Sequence, residues 1–353
     1  MEATNRRLLL IINPISGLGS KETFEPLVRK TLEPIGYEVK TVYTCARGDA
    51  TRLARQAVKE GYYGVLAAGG DGTVNETARA LCHTDTILGI IPCGSGNGLA
   101  RHLGIPIDPA SAVRIIAEGH VTESDFGAVN GRPFFCTFGV GFDAAVSSNF
   151  ARQHRRGPLT YIRSTIAEYI KFHPQVYTVS ANGHVLTEKA FLIAVCNASQ
   201  YGNNAYIAPR ASITDGELDI TIIHAGNPLD TAMVGMDLFT GYINQNTLIH
   251  SFRAPAAVIY RQQTGPAHLD GEPLTIDDTM EIKCHPAGLR IFTPEQEVVF
   301  RPLITPIENA ARDIACSVTR LLTENKHLKS ANSSGKCAFN FFAGFFAYAA
   351  KKL

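Results

Sequence analysis

Four times in the first 120 residues a short, uninterrupted apolar run ends in a turn rich in Gly, Asn or Ser and then enters a helical pattern. Leu8 to Ile12 leads to NPISGLGS, Val39 to Thr44 to CARGDA, Val65 to Ala68 to GGDGTVNE, and Ile87 to Ile91 to PCGSGNG. Apolar runs without polar alternation require strands covered on both faces, which is the condition of a parallel sheet with helices on either side. The repeat therefore predicts a doubly wound α/β domain over residues 1–122. In such a sheet the strand-to-helix loops open along one edge, so the four loops can line a single crevice.

From about Val121 the texture changes to shorter strand-like runs separated by turn signals: FFCTFGVGFD, VYTVSANGHV, FLIAVCNAS, GELDITIIHA, AAVIYRQQ, MEIKCHP and LRIFTP. Asn182-Gly183 is a strong hairpin signal. Residues 123–300 are expected to form a mainly antiparallel β-sandwich, interrupted by one helix at Leu159 to Phe172. Residues 301–328 hold a charged, amphipathic helical pattern, and 329–353 form a polar linker, KSANSSGK, and an aromatic tail. At 353 residues the chain exceeds what one core usually supports, which agrees with two domains.

Lysine and arginine number 33 against 32 acids, so no global field recruits nucleic acid and any recognition of phosphate is local. The eight cysteines include no C-x-x-C pair and read as reduced thiols of a cytosolic protein. The opening RRLLLIINP imitates a signal peptide but is too short and lacks a small-residue cleavage site, so it reads as a first strand. No segment carries the ~20 apolar residues that span a bilayer.

Glycines at the start of a helix let a phosphate approach free N–H groups and the positive end of the helix dipole. Asp71 sits in such a loop, where a carboxylate would repel phosphate unless a divalent cation lies between them or the acid has a structural role. Neither the Walker pattern nor G-x-G-x-x-G is present, so the ordinary P-loop and dinucleotide fingerprints do not apply.

INPISG, GGDGTVNE, PCGSGNGLAR and the distant DGE at Asp270 to Glu272 together resemble the catalytic signature of the diacylglycerol kinase and sphingosine kinase superfamily, in the right order over roughly residues 6 to 295. The resemblance implies a nucleotide-binding α/β domain followed by a β-sandwich, and an ATP- and Mg²⁺-dependent lipid kinase. By position it implies that Asn13, Pro14, Ile15, Ser16 and Gly17, with Gly69, Gly70, Asp71, Gly72, Thr73, Val74, Asn75 and Glu76, hold ATP phosphates and ribose. Thr44, Ser95, Gly96 and Asn97 contribute from neighbouring loops. Asp71 is implied to organise Mg²⁺, directly or through water, and Glu272 to be the general base for a lipid hydroxyl. ASITDGELDI resembles a structural metal loop with Asp215 as side-chain ligand and Ser212 and Glu217 as carbonyl donors. Asp125 matches an aspartate that joins the carboxylate network near the metal. Because glycines shape the loop, Asp71→Asn is expected to leave the fold intact.

Two departures from the pattern stand out. Gly98 replaces the acid of the G-T-x-N-D form common in bacterial diacylglycerol kinases, and GSGN followed by LA is closer to the sphingosine and ceramide kinase branch, so diacylglycerol and a sphingoid base or ceramide-like lipid both stay open as acceptors; Leu18 replaces a lysine, with Lys21 as a substitute. Two other readings stay open: an NAD kinase, which shares GGDGT, and an inactive nucleotide- or lipid-binding regulator. The expected partners are a membrane lipid and the membrane surface, reached peripherally from the cytoplasm. RQHRRGPLTYI and the tail's phenylalanines are the segments able to meet lipid. The acceptor lipid and the oligomeric state, a homodimer included, are not legible.

Overall fold

The computed structural model describes residues 6–17, 23–151, 172–296 and 299–328. Four parallel strands begin the chain: β1 (Arg6–Ile12), β2 (Tyr37–Tyr43), β3 (Gly64–Gly69) and β4 (Ile87–Pro92), in the order β2-β1-β3-β4. Alternate residues of β1 face opposite layers. Leu9 and Ile11 pack with Ala50 and Ala54 of α2 (Asp49–Lys59) and with Val74 and Ala78 of α3 (Asp71–Leu81). Leu8, Leu10 and Ile12 pack with Phe24 and Val28 of α1 (Phe24–Leu32), and with Val113 and Ile116 of α5 (Pro109–Glu118) beyond the short α4 (Gly98–His102). Each fully buried aliphatic side chain in these layers contributes roughly 1.5–3 kcal/mol. The doubly wound reading is thus realised, helices and all.

The remaining strands form a predominantly antiparallel β-sandwich: β5 (Val121–Val129), β6 (Arg132–Phe134), β7 (Thr137–Gly141), β8 (Gln175–Ala181), β9 (His184–Cys196), β10 (Leu218–His224), β11 (Ile249–Ala254), β12 (Ala256–Arg261), β13 (Gly265–Leu269), β14 (Glu272–Ile276) and β15 (Thr279–Phe292). Phe134, Phe138, Tyr177, Ile220, Ile259 and Met280 belong to their shared core. The expected Asn182-Gly183 hairpin is present, with both residues at positive φ (51° and 77°) and Ala181 paired to His184.

MEIKCHP and LRIFTP, read from sequence as separate strands, are one strand. β15 runs antiparallel to β5, shifts register between His285 and Leu289, and ends beside β4 in parallel, with Ile291 opposite Leu88. This return joins the two sheets into one continuous mixed sheet, and residues 1–307 form a single compact unit.

Two helices are not anticipated by the sequence reading, α6 (Phe142–Ala151) and α7 (Pro228–Thr240). The second has a legible start: Asn227 and Asp230 form a reciprocal capping box, with Pro228 in the first turn. The helix expected within residues 301–328 is α8 (Ile304–Leu328). The 159–171 part of the other expected helix, the basic cluster at 152–162, Leu18, Lys21 and the 329–353 linker and tail lie outside the described residues. No described helix is long and apolar enough to cross a membrane. The seven cysteines within the described residues are free thiols.

His102, at the end of α4, accepts the Ser199 N–H on Nδ1 at 3.1 Å and lies 3.0 Å from the Ser199 hydroxyl. Burial lowers its pKa to about 4 from 6.5. Between those values the unfolded chain binds a proton that the folded chain refuses, so stability falls with pH by up to about 1.4 kcal/mol per unit from pH 6.5 to 4. Urea titrations across that window should show this slope. His102→Gln should flatten it, and an unchanged slope would assign the loss to other groups.

Candidate active site

The four strand-to-helix loops do converge. Asn13 donates its N–H to the Ala68 carbonyl and its side-chain amide to Thr73 Oγ1, both at 3.0 Å, tying the first loop to the third. Ser16 donates its hydroxyl back to the Asn13 carbonyl at 3.0 Å, and Pro14 and Ile15 stand exposed at the lip. Gly17 has φ +64°, and a Cβ there would lie 1.7 Å from the Cys93 carbonyl oxygen, so the close approach of first and fourth loops requires glycine. Thr44 is buried and donates its N–H to Ile12 at 3.0 Å.

Gly69 ends β3 and Gly70 precedes α3. The N–H groups of Asp71 and Gly72, in the first turn of α3, have no acceptor among the described residues, as a phosphate-binding helix start requires. Thr73, Val74 and Asn75 are buried within α3 and shape the loop from beneath. Glu76 acts structurally, since its carboxylate accepts the N–H groups of Gly48 (2.8 Å) and Ala50 (3.2 Å), fixing the CARGDA loop at the start of α2.

Asp71 likewise reaches across. Its Oδ2 accepts the Asn97 N–H at 2.9 Å and its Oδ1 accepts the Gly98 N–H at 2.7 Å, so it pins the GSGNG loop at the start of α4. A Cβ on Gly96 would meet Asp71 Oδ2 at 2.8 Å, which is why the loop is bare of side chains there. Asn97, at φ 52°, closes the turn through its amide to Gly94, while Ser95 is exposed at the crest.

DGE is a two-residue hairpin between β13 and β14, with Asp270 and Gly271 both at positive φ (50° and 79°). The Asp270 carboxylate accepts the N–H groups of Phe135, Cys136 and Thr137, and burial raises its pKa. Behind the turn, His268 accepts the Gly271 N–H on Nδ1 (3.3 Å), its Nε2 faces Asp143 Oδ2 (3.0 Å), and the Tyr201 hydroxyl donates to that same oxygen (3.0 Å). This frame presents Glu272 to the phosphate loop, from 200 residues away in sequence: a Cβ placed on Gly72 would stand 3.6 Å from Glu272 Oε1. The other oxygen, Oε2, pairs with Arg47 (3.1 Å) and Arg79 (3.4 Å). Glu272, these two arginines and Arg132 line a cleft of about 250 Å³, together with Pro133, Leu269, Pro273 and Leu274.

The diacylglycerol kinase catalytic-domain model matches residues 7–129, and a YegS C-terminal NAD kinase beta sandwich-like domain model matches residues 136–293. The chain belongs to the diacylglycerol kinase catalytic-domain family. A YegS-like lipid kinase of Pseudomonas fluorescens is 27% identical over 83% of this chain and 97% of that protein. The diacylglycerol kinase of Bacillus subtilis is 29% identical over 76% of this chain and 90% of its own. A crystal structure of a diacylglycerol kinase-like protein from Bacillus anthracis str. Sterne superposes with a TM-score of 0.71 at 23% identity, over 83% of this chain and 97% of that one, which shows the shared fold.

Membership of this kinase family implies ATP as co-substrate. The acids assigned to metal by resemblance fall into two separate groupings. Asp125 is buried and accepts the N–H groups of Gly216 (2.7 Å) and Ala287 (2.8 Å), which ties it to the TDGE loop and to the bulge of β15. In that loop Asp215 accepts the Glu217 N–H (3.1 Å) and pairs with Arg253 (3.4 Å), while the Ser212 hydroxyl meets Thr214. Arg253 thus supplies a countercharge beside Asp215. Among the described residues no three His, Cys, Asp or Glu side chains group as a metal centre. Asp71 remains suited to a hard cation because each carboxylate oxygen, having accepted one N–H, keeps a second lone pair. Arg47, Arg79, Arg132 and the His268–Asp143–Tyr201 frame are absent from the sequence reading, where nothing marks them as neighbours of Glu272.

Proposed function

We propose that this kinase transfers the γ-phosphoryl group of ATP to the hydroxyl of a glycerolipid at a membrane surface. The observation that carries the reading is the approach of Glu272 to Gly72, close enough that a Cβ added there would stand 3.6 Å from Glu272 Oε1, which turns a proton acceptor toward the loop that binds phosphate. Glu272 takes the hydroxyl proton, the acceptor oxygen attacks the γ-phosphorus in line, and the N–H groups of Asp71 and Gly72 steady the phosphates. Mg²⁺, held by Asp71 directly or through water, supplies charge neutralisation on the phosphate oxygens when bound. Pro133, Leu269, Pro273 and Leu274 give the hydroxyl-bearing end of a lipid an apolar wall.

The cleft also bears on the acceptor class. Three guanidiniums against one carboxylate leave it net positive, which disfavours the ammonium group beside the hydroxyl of a sphingoid base. Turnover of ATP with diacylglycerol, ceramide, sphingosine and NAD⁺, the lipids in mixed micelles, tests this. Diacylglycerol should be phosphorylated fastest and sphingosine slowest. Preferential phosphorylation of NAD⁺ would establish the NAD kinase alternative, and ATP binding without turnover of any acceptor would favour an inactive regulator.

A further inference from the structure

The two oxygens of Glu272 have different surroundings: Oε1 faces Gly72 of the phosphate loop, and Oε2 takes the guanidiniums of Arg47 and Arg79. Arg79 rises from α3 itself, eight residues beyond Asp71, so one helix carries both the phosphate-binding turn and a guanidinium directed at the base. Arg47 comes from the CARGDA loop and is 78% exposed. Its backbone is nevertheless fixed, because Glu76 on the same helix accepts the N–H groups of Gly48 and Ala50, and the Thr51 hydroxyl donates to the Glu76 carbonyl at 2.8 Å. Helix α3 therefore sets the phosphate loop, Arg79 and, through Glu76, Arg47.

The exposed Arg47 pair is weak, and the Arg79 pair is long at 3.4 Å, so both guanidiniums can exchange the carboxylate for another anion. The reaction provides one at the right moment. When the acceptor oxygen bonds to the γ-phosphorus and the bond from that phosphorus to the β–γ bridging oxygen breaks, the hydroxyl proton passes to Glu272. The neutral carboxyl then loses its hold on both guanidiniums while negative charge gathers on the transferred group and on the leaving ADP oxygen. Planar guanidiniums match phosphoryl oxygens in bidentate geometry.

Resting on the lipid-kinase reading above, we infer that Arg47 and Arg79 form a clamp that holds Glu272 before transfer and passes to the phosphoryl group during it. Both are then catalytic residues, acting on the charge that builds on the leaving oxygen as the bond to the γ-phosphorus breaks. Their removal should lower kcat and leave ATP binding almost unchanged.

The test measures ADP affinity by calorimetry with Mg²⁺ and detergent-solubilised diacylglycerol, with and without aluminium fluoride, a mimic of the transferring phosphoryl group. Wild-type enzyme should bind ADP at least about 30-fold more tightly with aluminium fluoride, and Arg79→Gln should lose about tenfold or more of that gain while binding ADP alone normally. Its kcat should fall about 10²-fold, and guanidinium ion at millimolar concentration should restore part of the turnover of Arg79→Ala. Arg47→Gln, on an exposed loop where folding is not at stake, should show the same pattern more weakly. Wild-type kcat and the full aluminium fluoride effect in both Gln variants would overturn the clamp. A wild-type enzyme that neither phosphorylates lipid nor responds to aluminium fluoride would instead overturn the lipid-kinase reading, and the clamp with it.

Discussion

Replacing Glu272 by Gln lowers turnover by about 10²–10⁴-fold while ATP affinity changes little. Glutamine keeps the length and planarity of the side chain but cannot take a proton from a hydroxyl. The substitution should not disturb the fold, because the turn is made by Asp270 and Gly271 and held by three N–H groups on the Asp270 carboxylate and one on His268. Steady-state assays on micellar lipid, paired with calorimetry of ATP binding and a melting curve, check all three statements. A Gln variant with near-normal kcat would remove Glu272 from the chemistry.

Asp71→Asn carries two effects. Loss of the charge weakens cation-dependent handling of the phosphates, and turnover should fall by about 10²-fold or more. The second effect corrects the expectation that the loop's glycines alone would keep the fold intact. Both Asp71 oxygens accept backbone N–H groups, from Asn97 and Gly98, and an amide offers only one acceptor and turns its NH₂ against the other donor. The stranded N–H costs about 1–3 kcal/mol. A melting curve and a Mg²⁺ titration of activity read the two effects separately. Unchanged Tm would show that the pin is dispensable, and unchanged activity with the same Mg²⁺ dependence would remove the cation role.

The parallel half of the fold is legible because a strand buried on both faces leaves an uninterrupted apolar run, as Leu8 to Ile12 and Ile87 to Ile91 do. The path of β15 is not. Its register shift, between His285 and Leu289, contains Pro286, Ala287 and Gly288, which read as a break between strands, and Ala287 takes φ 49° to make the bulge. The α7 capping box, Asn227 with Asp230, is present in the sequence, but apolar residues follow it on both faces, with Leu229, Met233, Met236 and Phe239 exposed and Val234 and Leu238 packed inward, so no polar face marks an amphipathic helix.

At the site, DGE and GGDGT could be joined only through resemblance, since their contact depends on the tertiary path. The same limit hides the partners of the acids. Asp71, Glu76, Asp125 and Asp270 all use their carboxylates to gather backbone N–H groups from distant loops, an arrangement that no spacing announces. One sequence question is answered by it. Asp71 can stand in a phosphate loop because its charge is directed at the N–H groups that begin α4.

One base and one phosphate loop acting on a single γ-phosphoryl group imply direct in-line attack. The stereochemistry at phosphorus tests it most directly, using ATP made chiral at the γ-phosphate with oxygen isotopes and diacylglycerol as acceptor. Direct transfer gives inversion of configuration in the lipid product. Retention would require a phosphorylated enzyme intermediate and would contradict it.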